Sequence, residues 1–181
     1  MRVFVAIEIP QGLRKKIFQA AEGLKGRVPA KLVEEENLHL TLLFFRDLSE
    51  KEVSDLITAV EKAARRVKPI ALRLTNAEVF PAWRPRGAWV RVIGETEMLR
   101  KLHAGIIGEI GEIGEISRRF SPHITFCRFK KGFVLNEAAG KLIEKISFND
   151  EFRVEEVVVF QSHLSSKGPT YTKIAEVKLT T

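Results

Sequence analysis

Cysteine is nearly absent: Cys127 is the only one in 181 residues. No intrachain disulfide can form, and no cysteine cluster can hold zinc. Long apolar runs are missing too. The longest are short, such as Val157 to Phe160, far below the roughly 20 residues that cross a bilayer as a helix. The first residues lack a secretory pattern, because Glu8 interrupts the apolar run early and no small-residue cleavage site follows. These absences lead us to expect a cytoplasmic chain with no membrane partner. Asn and Gln are scarce while Glu, Lys and Arg abound, a bias that points to a thermophilic source. No Pro/Gly/Ser-rich linker divides the chain, so a single domain over residues 1–181 is expected.

What is present is ordinary for a globular protein: 45% hydrophobic and 29% charged residues. The net charge is +7 and the pI about 9.7. That balance favours an anionic partner such as nucleic acid, although a solvated mixed-charge surface accounts for it equally well.

Hydrophobic periodicity gives alternating strands and helices. Apolar, β-branched runs predict strands at Arg2–Ile9, Leu38–Phe45 and Ile70–Phe80, the last ended by Pro81. Between them, Leu13, Ile17, Ala20, Ala21 and Leu24 share one face of a helix over Gln11–Lys25. Ser49, with Glu52 three residues on, forms a capping box for a helix carrying Val53, Leu56, Ile57, Val60 and Ala64. The order then restarts. Strands are predicted at Ala88–Ile93, His123–Phe129 and Phe152–Leu164, helices at Glu95–Gly108 and Asn136–Ile146, and a final strand at Thr170–Leu179. Gly105, Gly108, Gly111 and Gly114 blur the end of the first of these helices.

The halves align at a near-constant offset. His39 and His123 are 84 residues apart, Phe4 and Trp89 85, Ile70 and Val154 again 84. A fixed offset marks a duplicated unit, with copies at roughly 1–86 and 87–169 followed by a C-terminal strand. The expected fold is α+β and bilobed: two pseudo-symmetric, mostly antiparallel sheets with helices on their outer faces and a central cleft.

The chemistry-bearing residues sit on this repeat. His39-Leu-Thr-Leu and His123-Ile-Thr-Phe share the form His-x-Thr-x. Residues i and i+2 of a strand share a face, so each His points with its Thr, and Leu40, Leu42, Ile124 and Phe126 point into the core. Two satisfied core histidines are the bland alternative. Across a cleft, one neutral imidazole can take a proton while a protonated one gives a proton, and threonine hydroxyls can hold phosphoryl oxygens. With no carboxylate or cysteine in the motifs, metal chemistry has little support and no cofactor is expected. His103, in a helical apolar pattern, reads as a structural or a surface residue, and His163 sits at the end of a long strand.

These segments resemble the two-histidine phosphoesterase superfamily, and within it the RNA 2′,3′-cyclic phosphodiesterase (2′-5′ RNA ligase) family. The resemblance runs through residues 2–10, 36–42, 87–90, 118–126 and 162–171, nearly the whole chain. It implies His39 as proton donor, His123 as proton acceptor, and Thr41, Thr125 and Arg128 as phosphate ligands. Arg128 stands five residues after His123, a spacing that does not share a strand face without a bend or a long reach. Phe44 holds the matching place in the first copy; it reads as core, with base stacking as its other use. Tyr171 and Arg118 are further candidates for substrate contact, and Arg84, Arg86, Arg118 and Arg119 flank the cleft segments, where they either bind RNA phosphates beyond the reacting one or sit in solvated turns. Phe126 and Cys127, and Phe45-Arg46, depart from the usual family residues and are expected to touch the groove wall.

The function so implied is metal-independent hydrolysis of RNA 2′,3′-cyclic phosphate ends to 2′-phosphomonoesters, with ATP-independent 2′-5′ ligation as its reverse. The partners would be RNA ends or small cyclic nucleotides, and a monomer is expected. Two rival readings are a phosphodiesterase for another small cyclic phosphate or 2′-5′ oligonucleotide, and a non-catalytic RNA-binding module.

Overall fold

The computed structural model describes residues 1–113 and 119–180. In chain order the elements are β1 (Val3–Glu8), α1 (Gln11–Glu22), β2 (Ala30–Leu32), β3 (His39–Phe45), α2 (Glu50–Ala64), β4 (Ile70–Phe80) and β5 (Gly87–Gly94). They continue with α3 (Thr96–Ile110), β6 (His123–Phe129), α4 (Glu137–Glu144), β7 (Glu151–Val154), β8 (Glu156–His163) and β9 (Thr170–Lys178). The strands form two antiparallel sheets, β3-β1-β8-β9 and β2-β6-β5-β4-β7. The α+β, two-sheet expectation therefore holds.

Each sheet puts one face into a shared core. Val3, Val5 and Ile7 of β1 and Ala88, Val90 and Val92 of β5 meet Ile17, Leu56, Val60, Leu102 and Ile143 from the four helices. Burial of a Leu or Ile side chain is worth roughly 1.5–3 kcal/mol, so this common core ties the two sheets into one unit. Its helices are set by local chemistry. Ser49 Oγ accepts from Glu52 N, and the Glu52 carboxylate accepts from Ser49 N, closing the capping box at α2. Asn136 Oδ1 accepts from Ala139 N to start α4.

The sheets do not coincide with the halves of the sequence. β4, from the first half, pairs with β5 of the second, while β8 pairs with β1 of the first. The last strand of each half is thus exchanged, leaving β3-β1-β8 and β6-β5-β4 as equivalent triplets. The exchange also corrects the expected single strand at Phe152–Leu164. It is two strands broken at Glu155, with β7 on β4 in one sheet and β8 on β1 in the other. Side-chain parity changes there: Phe152 and Val154 enter the core before the break, Val157 and Val159 after it. A short strand, β2, was not expected from the sequence.

The exchange leaves β3 and β6 side by side where the two sheets meet. Each carries a β-bulge at the same place. Opposite β1 the register skips Leu42, and opposite β5 it skips Phe126. An extra residue shifts the alternation by one, so both strands follow the same order. The histidine and the residues two and five positions on face outward, and those between are buried.

Candidate active site

The bulge supplies the bend that Arg128 needs. It brings Arg128 to the cleft face with His123 and Thr125, and in β3 it does the same for Phe44 with His39 and Thr41. Phe44 is therefore not a core residue: it is 38% exposed, with the Arg2 guanidinium 4.8 Å above its ring. Phe126 and Cys127 are buried in the core rather than on the groove wall, because the two residues at and after the bulge both turn inward. Of that set Phe45 and Arg46 line the cleft beside Phe44. Burial pushes the Cys127 thiol up to about 11, which leaves it protonated and inert near neutral pH.

His39, Thr41, His123, Thr125, Arg128 and Tyr171 line one cavity of about 290 Å³. Phe44 and Arg119 line an adjoining one of about 560 Å³ that shares Thr41 and His123 with it. Arg118 lies outside the described residues. His103 is buried and stacked on Phe120 with ring centroids 4.9 Å apart, as a structural histidine should be. His163 ends β8 on the surface.

Both catalytic candidates are held the same way. His39 Nδ1 lies 2.6 Å from the Asn37 carbonyl oxygen, and His123 Nδ1 lies 2.6 Å from that of Ser121. A carbonyl only accepts, so each Nδ1 carries a proton and each Nε2 is left as the atom that changes protonation. His39 Nε2 is 2.8 Å from Thr41 Oγ1. His123 Nε2 makes no hydrogen bond among the described residues.

The surroundings of the two rings differ. His39 packs against Phe4 at 4.8 Å and edge-on to Tyr171 at 5.5 Å. His123 lies 3.9 Å from the Trp89 ring, which stacks on Phe80, and Trp89 Nε1 donates to Glu78 Oε1 at 2.9 Å. Burial holds the His39 imidazole below its ordinary pKa; the Asn37 carbonyl works against that, and His123 lowers it further. His123 is also lowered, chiefly by burial, with the Ser121 carbonyl and Glu78 opposing and Arg128 assisting. An anionic ligand between the rings would reverse the trend, because opposite charge favours the protonated form.

Several contributors carried no sequence signal strong enough to select them. Asn37 uses its carbonyl on His39 and its side-chain amide on the Pro169 carbonyl at 3.0 Å, which ties the loop leading to Tyr171 against β3. Lys31 and Lys167 complete the cationic lining. Phe4 and Trp89 are visible in the sequence as an equivalent pair, and only the fold shows that both support a histidine.

The donor set gives a metal little to bind. Among the described residues the one group of three ligating side chains close enough to share an ion is Glu8, Glu156 and Glu176. It excludes both imidazoles, and the Lys173 ammonium bonds Glu8 at 2.9 Å and also Glu176.

Two sheets joined along paired His-x-Thr-x strands, with both Nε2 atoms addressing one cavity, define a two-histidine phosphoesterase. A profile of the family described as LigT like Phosphoesterase matches residues 7–90. An Aquifex aeolicus protein named RNA 2′,3′-cyclic phosphodiesterase is 31% identical over 91% of this chain and 92% of its own. An Archaeoglobus fulgidus protein of the same name is 29% identical over 94% and 96%. A solved structure from Thermus thermophilus superposes with a TM-score of 0.83 at 29% identity, covering 99% of this chain and 98% of that one. The chain belongs to the LigT-like phosphoesterase family, among relatives named as RNA 2′,3′-cyclic phosphodiesterases.

Proposed function

We propose that the chain hydrolyses 2′,3′-cyclic phosphates at RNA ends to 2′-phosphomonoesters. The observation that carries this is the pair of Nδ1-locked imidazoles whose Nε2 atoms share one cavity with two threonines and an arginine. In this reading His123 Nε2 takes a proton from water as the water oxygen bonds phosphorus. The bond from phosphorus to the 3′-oxygen breaks, and His39 Nε2 protonates that oxygen. Thr41, Thr125 and Arg128 hold the non-bridging oxygens as negative charge grows on them. Arg128 beside His123 favours its neutral form while Glu78 opposes it, so the division of roles rests on the family resemblance. Each proton transfer is typically worth two to four orders of magnitude. By microscopic reversibility the same groups would join a 5′-hydroxyl to a cyclic phosphate as a 2′-5′ link.

Tyr171 closes the His39 side, and Phe44 offers a ring to a base at the cleft edge. The same site accommodates a small cyclic nucleotide, and the described chain has no helix long and apolar enough to cross a membrane. The test is incubation of a short RNA ending in a 2′,3′-cyclic phosphate with the protein in EDTA, with the products resolved by position of the phosphate. A 2′-phosphate formed at undiminished rate is expected. A 3′-phosphate product would reverse the leaving group, and activity only with added metal would overturn the proton-transfer account.

A further inference from the structure

We infer that the chain carries a docking face for the single-stranded RNA that precedes the reacting end, laid over residues 83–86 and 130–134. The inference rests on the proposed activity at RNA ends and goes beyond the reacting group. Trp83 and Val134 are 81% and 82% exposed, the two most exposed large hydrophobic side chains among the described residues. Both line one depression of about 550 Å³, together with Arg84, Arg86, Lys130 and Lys131. No carboxylate lines it. None of these four cations has an ion-pair partner among the described residues, so all four are free to meet phosphates.

The face continues from the reacting cavity. Arg128 lines that cavity and sits opposite Gly87. At Gly87 a Cβ would lie only 2.4 Å from the Cys127 carbonyl oxygen, so the two backbones meet there with no side chain between them. The next residue pair is Arg86 and Phe129, joined by a hydrogen bond from Phe129 N to the Arg86 carbonyl at 2.7 Å. Lys130 follows, about 7 Å beyond Arg128 at strand spacing. Arg128, Arg86 and Lys130 therefore follow one another along paired backbones from the reacting cavity toward the exposed indole. The other exits are less suited to a polyanion. One is lined by Glu8, Glu34 and Glu36 among its cations, and the one past Phe44 includes Asp47.

An unpaired cationic strip that ends in an exposed aromatic ring is the physical recipe for sequence-tolerant single-strand binding. Cations follow the phosphates, and a base stacks on the indole. A cyclic mononucleotide in the reacting cavity would not reach this face. Longer RNA would, so turnover should favour the oligomer over the mononucleotide.

The experiment compares wild type, Trp83→Ala, Trp83→Phe and the double variant Lys130→Gln/Lys131→Gln. Binding of a labelled ten-nucleotide RNA with an unreactive 3′-hydroxyl is followed by anisotropy across a salt series. kcat/KM is measured on the same RNA ending in a cyclic phosphate and on cytidine 2′,3′-cyclic phosphate. Trp83→Ala should weaken binding and lower oligomer kcat/KM by about tenfold, within the roughly 5- to 150-fold range of a stacked base, and Trp83→Phe should recover most of it. The double variant should reduce the salt slope of binding by about 1.4, at roughly 0.7 per phosphate contact. Mononucleotide turnover should stay within twofold. Wild-type binding by the variants, or equal losses on mononucleotide and oligomer, would overturn the docking face. If wild type cleaves neither substrate, the proposed activity fails, while the binding series still decides the face.

Discussion

The two sides of the cleft share a backbone and differ in their surroundings. On each, a carbonyl two residues before the histidine fixes Nδ1, a threonine lies two residues after it, and a bulge turns the fifth residue onward into the cleft. What differs is the company. His39 sits among Phe4, Phe160 and Tyr171, with Phe44 at the fifth position. His123 sits against Trp89, with Arg128 at the fifth position and Glu78 behind the indole. In the proposed mechanism equivalent backbones deliver two nitrogen atoms to one phosphoryl group, and one acts as base and the other as acid.

The largest effect should come from breaking the shared part. His39→Ala and His123→Ala should each lower kcat by about a thousandfold with KM little changed, because each group acts in the transition state. A loss confined to one of them would break the symmetry. Next comes the charge that distinguishes the sides. Arg128→Met should lower kcat by about a hundredfold, as for a lost oxyanion ligand. Because Arg128 lowers the His123 pKa, its removal should also move the acidic limb of the kcat/KM profile to higher pH. Glu78 raises that pKa, so Glu78→Gln should move the same limb to lower pH, with a plateau rate within about threefold of wild type. Two charge removals with opposite shifts cannot be mimicked by a general loss of folding. The smallest effect on rate is expected from the hidden side of the strands. Leu40 and Ile124, both fully buried, should each cost about 2–5 kcal/mol of stability on truncation to Ala, read by denaturant unfolding, with kcat nearly intact where the protein is folded.

Much of this is visible in the sequence, and the reason is local. The His-x-Thr-x pairs, the Ser49–Glu52 capping box and the apolar face of α2 rest on spacings within one element, which periodicity reports directly. The exchange of β4 and β8 does not, since alternation tells which face a residue takes and nothing about which strand lies beside it. The bulges are equally silent: Leu42 and Phe126 look like any apolar strand residue, yet they decide that Phe44 leaves the core and that Arg128 faces the cleft. The break at Glu155 left a trace in the parity of Phe152, Val154, Val157 and Val159, hidden by a run that is apolar on both faces. Asn37 and Glu78 act through partners 132 and 11 residues away, contacts that exist only once the sheets have formed.

Burial places both imidazole pKa values below their ordinary level in the free protein. The alkaline fall of the kcat/KM profile should therefore begin below about 6.5, the ordinary imidazole value, where the acid loses its proton. The profile for kcat should extend to higher pH, because the bound diester anion favours protonated imidazole. The measurement that decides the account is this pH dependence in the two single variants, followed in EDTA on an RNA ending in a 2′,3′-cyclic phosphate. His123→Ala should lose the acidic limb, since no base remains to be freed by deprotonation, and His39→Ala should lose the alkaline limb. A wild-type bell that survives in both variants, merely scaled down, would contradict a mechanism built on these two histidines.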